Sequence, residues 1–141
     1  MENSKINATT IAAYRAAHYA VNSPEPFVIQ VGELSERLAS VLASEGAKCA
    51  AFITAWNPYS EVATQEANSA AQAALASELD ELGLTSIGGF GSDPEGLWPG
   101  EDSLLVLGLG LEEAREIGSK YGQNAIIWIG EDARPQLVLL R

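Results

Sequence analysis

Cys49-Ala50-Ala51-Phe52-Ile53-Thr54-Ala55-Trp56 runs straight into Asn57-Pro58-Tyr59-Ser60. The first stretch is continuous and apolar, as a strand covered on both faces is. Proline removes a donor and drives its predecessor away from helix, so Asn57-Pro58 ends that strand sharply. A strand covered on both faces needs helices above and below it, and the flanking sequence supplies them.

Upstream, Leu34, Leu38, Val41 and Leu42 recur at helical spacing, with Gly46 as a left-handed cap. Before them, 27–31 reads as a short strand. The alanine-rich 9–19 reads as a first helix, stopped by Pro24 and Pro26. Downstream, Ala67, Ala71, Leu75, Leu79 and Leu82 mark the longest helix, over 64–82, with Gly83 as its stop. Strands follow at 85–87 and 103–109. Leu111, Ala114, Ile117 and Tyr121 mark another helix, with Glu112 and Glu113 at its start and Lys120 at its end, as the helix dipole favours. Segments 125–129 and 136–140 close the chain as a hairpin. Helices alternating with strands imply an α/β domain, with α+β as the alternative: one mixed sheet of about six strands flanked by about four helices.

Between the strands at 85–87 and 103–109, residues 88–102 are nearly all turn chemistry: glycines, two prolines, Asp93, Glu95 and Trp98. A loop of this length inside one domain is uncommon and is usually functional or mobile.

The 141 residues carry 8 Lys+Arg against 19 Asp+Glu, a net charge of −11, with 47% hydrophobic residues. This is a foldable chain, expected to form a single globular domain over 1–141 with residues 1–8 as a flexible N-terminus. The scarcity of cations argues against direct nucleic-acid binding. No apolar run is long enough for a membrane span, and one cysteine, Cys49, excludes an internal disulfide. The start of the chain has neither the positive flank nor the apolar core of a signal peptide, so the cytoplasm is expected. Cys49 lies in an apolar run and reads as a buried thiol. The single histidine, His18, reads as a packing residue.

Ala51-Phe52-Ile53-Thr54-Ala55-Trp56-Asn57-Pro58-Tyr59-Ser60 resembles the core motif of the bacterial DUF3293 family, and Asn68 matches that family's asparagine in the following helix. The stretch Gly91-Ser92-Asp93-Pro94-Glu95-Gly96-Leu97-Trp98-Pro99 is similar to its Gly/Asp-Pro/Trp loop. Residues 103–108 and Tyr121-Gly122-Gln123-Asn124-Ala125-Ile126 are similar to two further elements of it. The resemblance implies a domain type and a set of positions, and no reaction.

Ligands in open sheets bind outside strand ends. The candidate ligand-binding residues are therefore Asn57, Tyr59, Ser60 and Asn68, with Trp98 as an aromatic wall or core cover. Gln123, whose amide needs a partner if buried, joins them. Asn57 and Ser60 are equally at home as a turn starter and a helix cap. Asp93, Glu95 and Glu101 are the candidate acid/base groups. With Asp102 they put four carboxylates close together, but in no EF-hand spacing, and no metal or cofactor is expected. Gly108-Leu109-Gly110 lacks the third glycine of a dinucleotide loop, because position 113 is Glu113. Three functions fit. The first is a binding module with a polar pocket at a strand end, for a small molecule or a peptide end. The second is a hydrolase-like enzyme using the loop carboxylates. The third is an acidic regulatory protein that occupies a basic partner. The partner is thus a small molecule or a protein, with no membrane involved.

Overall fold

Strand β3, Ala50–Ile53, is buried along its whole length. The structure, a computed structural model, describes residues 6–96 and 100–141. Alternation along β3 divides two cores. Ala50 and Phe52 belong to one apolar cluster with Tyr19, Val21, Ile29, Leu105, Leu107, Ile127 and Ile129. Ala51 and Ile53 belong to another with Leu75, Leu79, Val106, Leu109, Ala114, Ile117 and Ile126. Opposite faces of one strand therefore feed opposite layers.

The elements run α1 (Ala8–Ala16), β1 (His18–Val21), β2 (Phe27–Ile29), α2 (Glu36–Ser44), β3, α3 (Gln65–Glu81), β4 (Thr85–Ser92), β5 (Glu101–Leu107), α4 (Leu111–Lys120), β6 (Ala125–Ile129) and β7 (Pro135–Leu139). The seven strands form one curled sheet in the order β2-β1-β4-β5-β3-β6-β7. Helix α2 packs on the first core through Leu38 and Leu42. Helix α3 covers β4 and β5 on the second, and α4 covers β3 and β6.

The fold is α+β, with four helices among the described residues and one strand more than the expected six or so. Every strand pair is antiparallel, rather than mixed. The helical crossovers are present, but each joins two parallel strands that have antiparallel strands between them. Strand β5 separates β3 from β4, and β3 separates β5 from β6. Sequence periodicity reports the crossover and is blind to the strand that lies between its ends.

The extra strand is β1. Helix α1 ends at Ala16 because Ala17 is extended (ψ 157°), and His18–Val21 pairs with both β2 and β4. Burial of Tyr19 and Val21 outweighs the helix propensity of the preceding alanines. Asn7 caps α1 by accepting from Thr10 N, 2.8 Å, and Ile6 is buried; residues 1–5 lie outside the described residues.

Seven of the twelve described residues in the turn-rich segment 88–102 are strand. Strand β4 continues to Ser92 and β5 begins at Glu101, with Gly89 opposite Ser103 and Gly91 opposite Glu101. Gly96 (φ 73°) turns the chain, its N–H donating to Asp93 O, whereas Gly89 and Gly100 serve close approach. A side chain at Gly89 would put Cβ 2.6 Å from Ala20 O and 2.7 Å from the Phe52 ring, and one at Gly100 would collide with the Phe90 ring.

Candidate functional site

Beyond Ile53 the chain leaves the sheet through a strained turn. Asn57 (φ 45°, ψ 65°) and Tyr59 (φ 60°, ψ 22°) are both left-handed. Asparagine tolerates this conformation better than most residues, and tyrosine does so at some cost. Two amides of α3 hold the turn. Asn68 Oδ1 accepts from Asn57 N at 2.8 Å, and Asn68 Nδ2 donates to Asn57 Oδ1 at 2.8 Å. Asn57 Oδ1 also accepts from Ala63 N at 3.0 Å. One helical turn further on, Gln72 Oε1 accepts from Ala55 N at 2.9 Å. That bond fixes the amide's orientation and leaves Gln72 Nε2 buried with no partner among the described residues. The Thr54 hydroxyl donates to Asp102 O at 2.6 Å, tying the end of β3 to the start of β5.

The segment after α4 closes onto this turn. Gly122 (φ 71°) terminates the helix, and its carbonyl accepts from Tyr59 N at 2.7 Å. Gln123 Nε2 donates to the carbonyls of Trp56 and Tyr121, both at 3.2 Å. Asn124 Nδ2 donates to the Tyr14 hydroxyl at 3.2 Å, and Asn124 Oδ1 accepts from Arg141 at 2.7 Å. The Arg141 guanidinium lies 4.8 Å from the centroid of the Tyr59 ring, a cation–π distance.

These segments line a cavity of about 60 Å³. It sits where β3 and β4 end and β5 and β6 begin. Tyr14, Tyr19, Phe52, Asn57, Gly91, Glu101, Ser103, Gln123 and Asn124 are among its walls. A water needs roughly 10–15 Å³ of such space, so the cavity has room for about four non-hydrogen atoms. It is built on one cross-strand row. Tyr19 of β1 pairs with Gly91 of β4, which pairs with Glu101 of β5. Glu101, Ser103, Leu105 and Leu107 alternate onto one face, the last two inside the first core. The alternation that buries the leucines thus carries a carboxyl inward, and Gly91 has no side chain to fill the space between it and Tyr19.

Burial pushes the Glu101 carboxyl up to about 7. Among the described residues no hydrogen bond or ion pair to that carboxyl offsets the desolvation. Burial also pushes the Tyr19 phenol up, helped by the nearby charges of Tyr14 and Glu101. Its hydroxyl donates to Tyr14 O at 2.7 Å.

Of the residues expected from sequence, Asn57, Gln123 and Glu101 come together around the cavity. Asn68 stands behind Asn57 and does not line it. Tyr59 is exposed (54%) on the outer side of the turn, where Arg141 covers its ring. Ser60 ends the 3-10 turn Pro58–Ser60, and its side chain lies outside the described part, as does Trp98. Asp93 and Glu95 sit at the tip of the β4–β5 hairpin, where Asp93 Oδ1 accepts from Glu95 N at 2.9 Å; neither lines the cavity. Tyr14 and Tyr19 also line the cavity, and the sequence pattern misses them: both fall in the 9–19 stretch that reads as one helix, whereas a strand begins at His18.

Among the described residues no three His, Cys, Asp or Glu side chains are grouped so as to hold a metal ion, and no helix is long and apolar enough to cross a membrane. Neither the curated proteins nor the solved structures contain a match to the chain. The model of one family, described as "Protein of unknown function (DUF3293)", matches residues 53–126, from the end of β3 through α3, the hairpin and α4 to the start of β6. That span is more than half of the chain and takes in Asn57, Asn68, Glu101 and Gln123, so the chain belongs to the DUF3293 family.

Proposed function

We propose that this chain is a binding module whose cavity at the strand ends takes a small polar molecule or the polar end of a larger one. The observation that carries the reading is Glu101: a desolvated carboxyl in a cavity wall, unpartnered within the described chain. Buried carboxylates are ordinarily paired, and one kept without a partner is a functional-site signal. The surrounding amides and phenols are braced by one another, so the walls are formed before a ligand arrives. The test is an amide NMR titration with a library of fragments of about four to eight non-hydrogen atoms. Saturable shifts at Gly91, Ser103 and Asn124 are expected. Hits that shift only distant amides, or no hits, would refute it.

The same carboxyl favours a second reading, proton transfer. A group titrating near 7 is matched to general acid–base work at neutral pH. Of the three acids weighed from sequence, Glu101 alone lines the cavity, so this reading rests on it and not on Asp93 or Glu95.

A further inference from the structure

Resting on the binding reading, we infer that the cavity selects a small primary ammonium cation. The inference follows from which hydrogen-bonding positions the protein has left open. The Tyr19 hydroxyl hydrogen goes to Tyr14 O, so the phenol presents only lone pairs. The Ser103 hydroxyl donates to Glu101 O at 3.1 Å and likewise has only lone pairs to offer. Both amide hydrogens of Gln123 are bound to backbone carbonyls, which leaves its oxygen. The Thr54 hydroxyl donates to Asp102 O. The Glu101 carboxylate only accepts when ionised. The walls are therefore rich in acceptors, and an ammonium group is the compact donor with three hydrogens and a positive charge that satisfies them.

Among the described residues nothing lining the cavity supplies that charge from within. Its titratable groups are Tyr14, Tyr19 and Glu101. Arg141, the cation on this rim, is committed to Asn124 and to the Tyr59 ring, and does not line the cavity. The aromatic walls favour a cation over an anion, and the chain's net charge of −11 draws cations toward it. The amide nitrogen of Asn57 is a donor with no bond among the described residues. It suits a hydroxyl or carbonyl oxygen on the same ligand. The volume limits the bound part to about four non-hydrogen atoms.

Five probes of that size separate the possibilities: propylamine, ethanolamine, 1-propanol, ethylene glycol and acetate. Each is titrated into the full chain at pH 8, with the amides of Gly91, Ser103 and Asn124 as the readout. The two amines are expected to bind at least about tenfold more tightly than the neutral probes and acetate. In Glu101→Gln, which keeps shape and removes charge, the amines are expected to lose about tenfold or more while the neutral probes change little. An unchanged amide spectrum in the free variant shows that it is folded. If the alcohols or acetate bind at these amides as tightly as the amines, or if Glu101→Gln binds amines unchanged, the ammonium assignment is overturned and the binding reading survives. If none of the five shifts these amides, both are overturned.

Discussion

Asn57 and Asn68 exchange hydrogen bonds in both directions: the Asn57 backbone donates to the Asn68 side chain, and the Asn68 side chain donates back to the Asn57 side chain, each at 2.8 Å. Both residues are nearly fully buried. The pair lets a strand end in a left-handed asparagine without leaving its N–H unsatisfied, and so sets the cavity wall that Asn57 forms.

Asn68→Ala is therefore expected to destabilise the fold by about 2–4 kcal/mol, because it removes both bonds to Asn57 and a longer one to Ala63 O and orphans a buried N–H. Asn68→Asp keeps the acceptor for Asn57 N but turns the donor into a second acceptor facing Asn57 Oδ1, and is expected to be no better tolerated near pH 7. Urea unfolding of both variants measures this. A loss below about 0.5 kcal/mol for Asn68→Ala would mean that water replaces the side chain.

Glu101 makes stability depend on pH with a definite sign. Its carboxyl titrates near the ordinary 4.5 when unfolded and near 7 when folded, so the folded state holds the proton more tightly. Folding is unaffected by this group below about pH 4.5 and loses stability as pH rises from there to about 7, by up to about 3 kcal/mol. Glu101→Gln is expected to be more stable than the wild type at pH 8, by about 1–3 kcal/mol, and little different at pH 4.5. Denaturant midpoints of the two proteins across that range are the check; parallel curves would show a solvated carboxyl.

Two glycines with the same backbone sign separate strain from space. Gly83 (φ 77°) has nothing within 4 Å of an added Cβ, whereas at Gly122 (φ 71°) the Cβ would lie 2.9 Å from Pro58 Cβ and 3.2 Å from the Tyr59 ring. Gly83→Ala is expected to cost about 1 kcal/mol, from the left-handed conformation alone. Gly122→Ala is expected to cost about 1–3 kcal/mol more, through overpacking, and to shift the amides of Gln123 and Asn124. Equal losses at the two positions would show that the turn yields.

Cys49 is expected to react slowly with thiol reagents. Burial, together with Glu113 and Glu131, pushes its thiol up, and its Sγ lies 3.4 Å from Leu109 O as a donor. Its modification rate at pH 8 should fall well below that of a free cysteine and rise on adding denaturant. A rate equal to that of free cysteine would place the thiolate in contact with solvent.

Much of the architecture was legible because burial imposes a period. The continuous apolar run at β3, the stripe Leu75–Leu79 of α3 and the closing hairpin all appear where the sequence pattern puts them. The stretch from Gly88 to Asp102 misled, since glycine chosen for close approach is indistinguishable in sequence from glycine chosen for a turn. The alanines before His18 hid a strand for a related reason: a four-residue strand is too short to show its own period against the helix before it.

By itself the sequence determined which residues are apolar, where the helices after the first cap and stop, and that Asn57, Gln123 and Glu101 belong to segments able to meet at a strand end. Only the tertiary structure decided that Glu101 is desolvated while Asp93 and Glu95 are at an open hairpin tip. The difference lies in register: pairing Gly91 with both Tyr19 and Glu101 places one carboxyl beside a residue with no side chain, inside a closed face. Such a row joins positions 19, 91 and 101, and its meaning comes from hydrogen bonds between distant strands, which no local pattern of residues encodes.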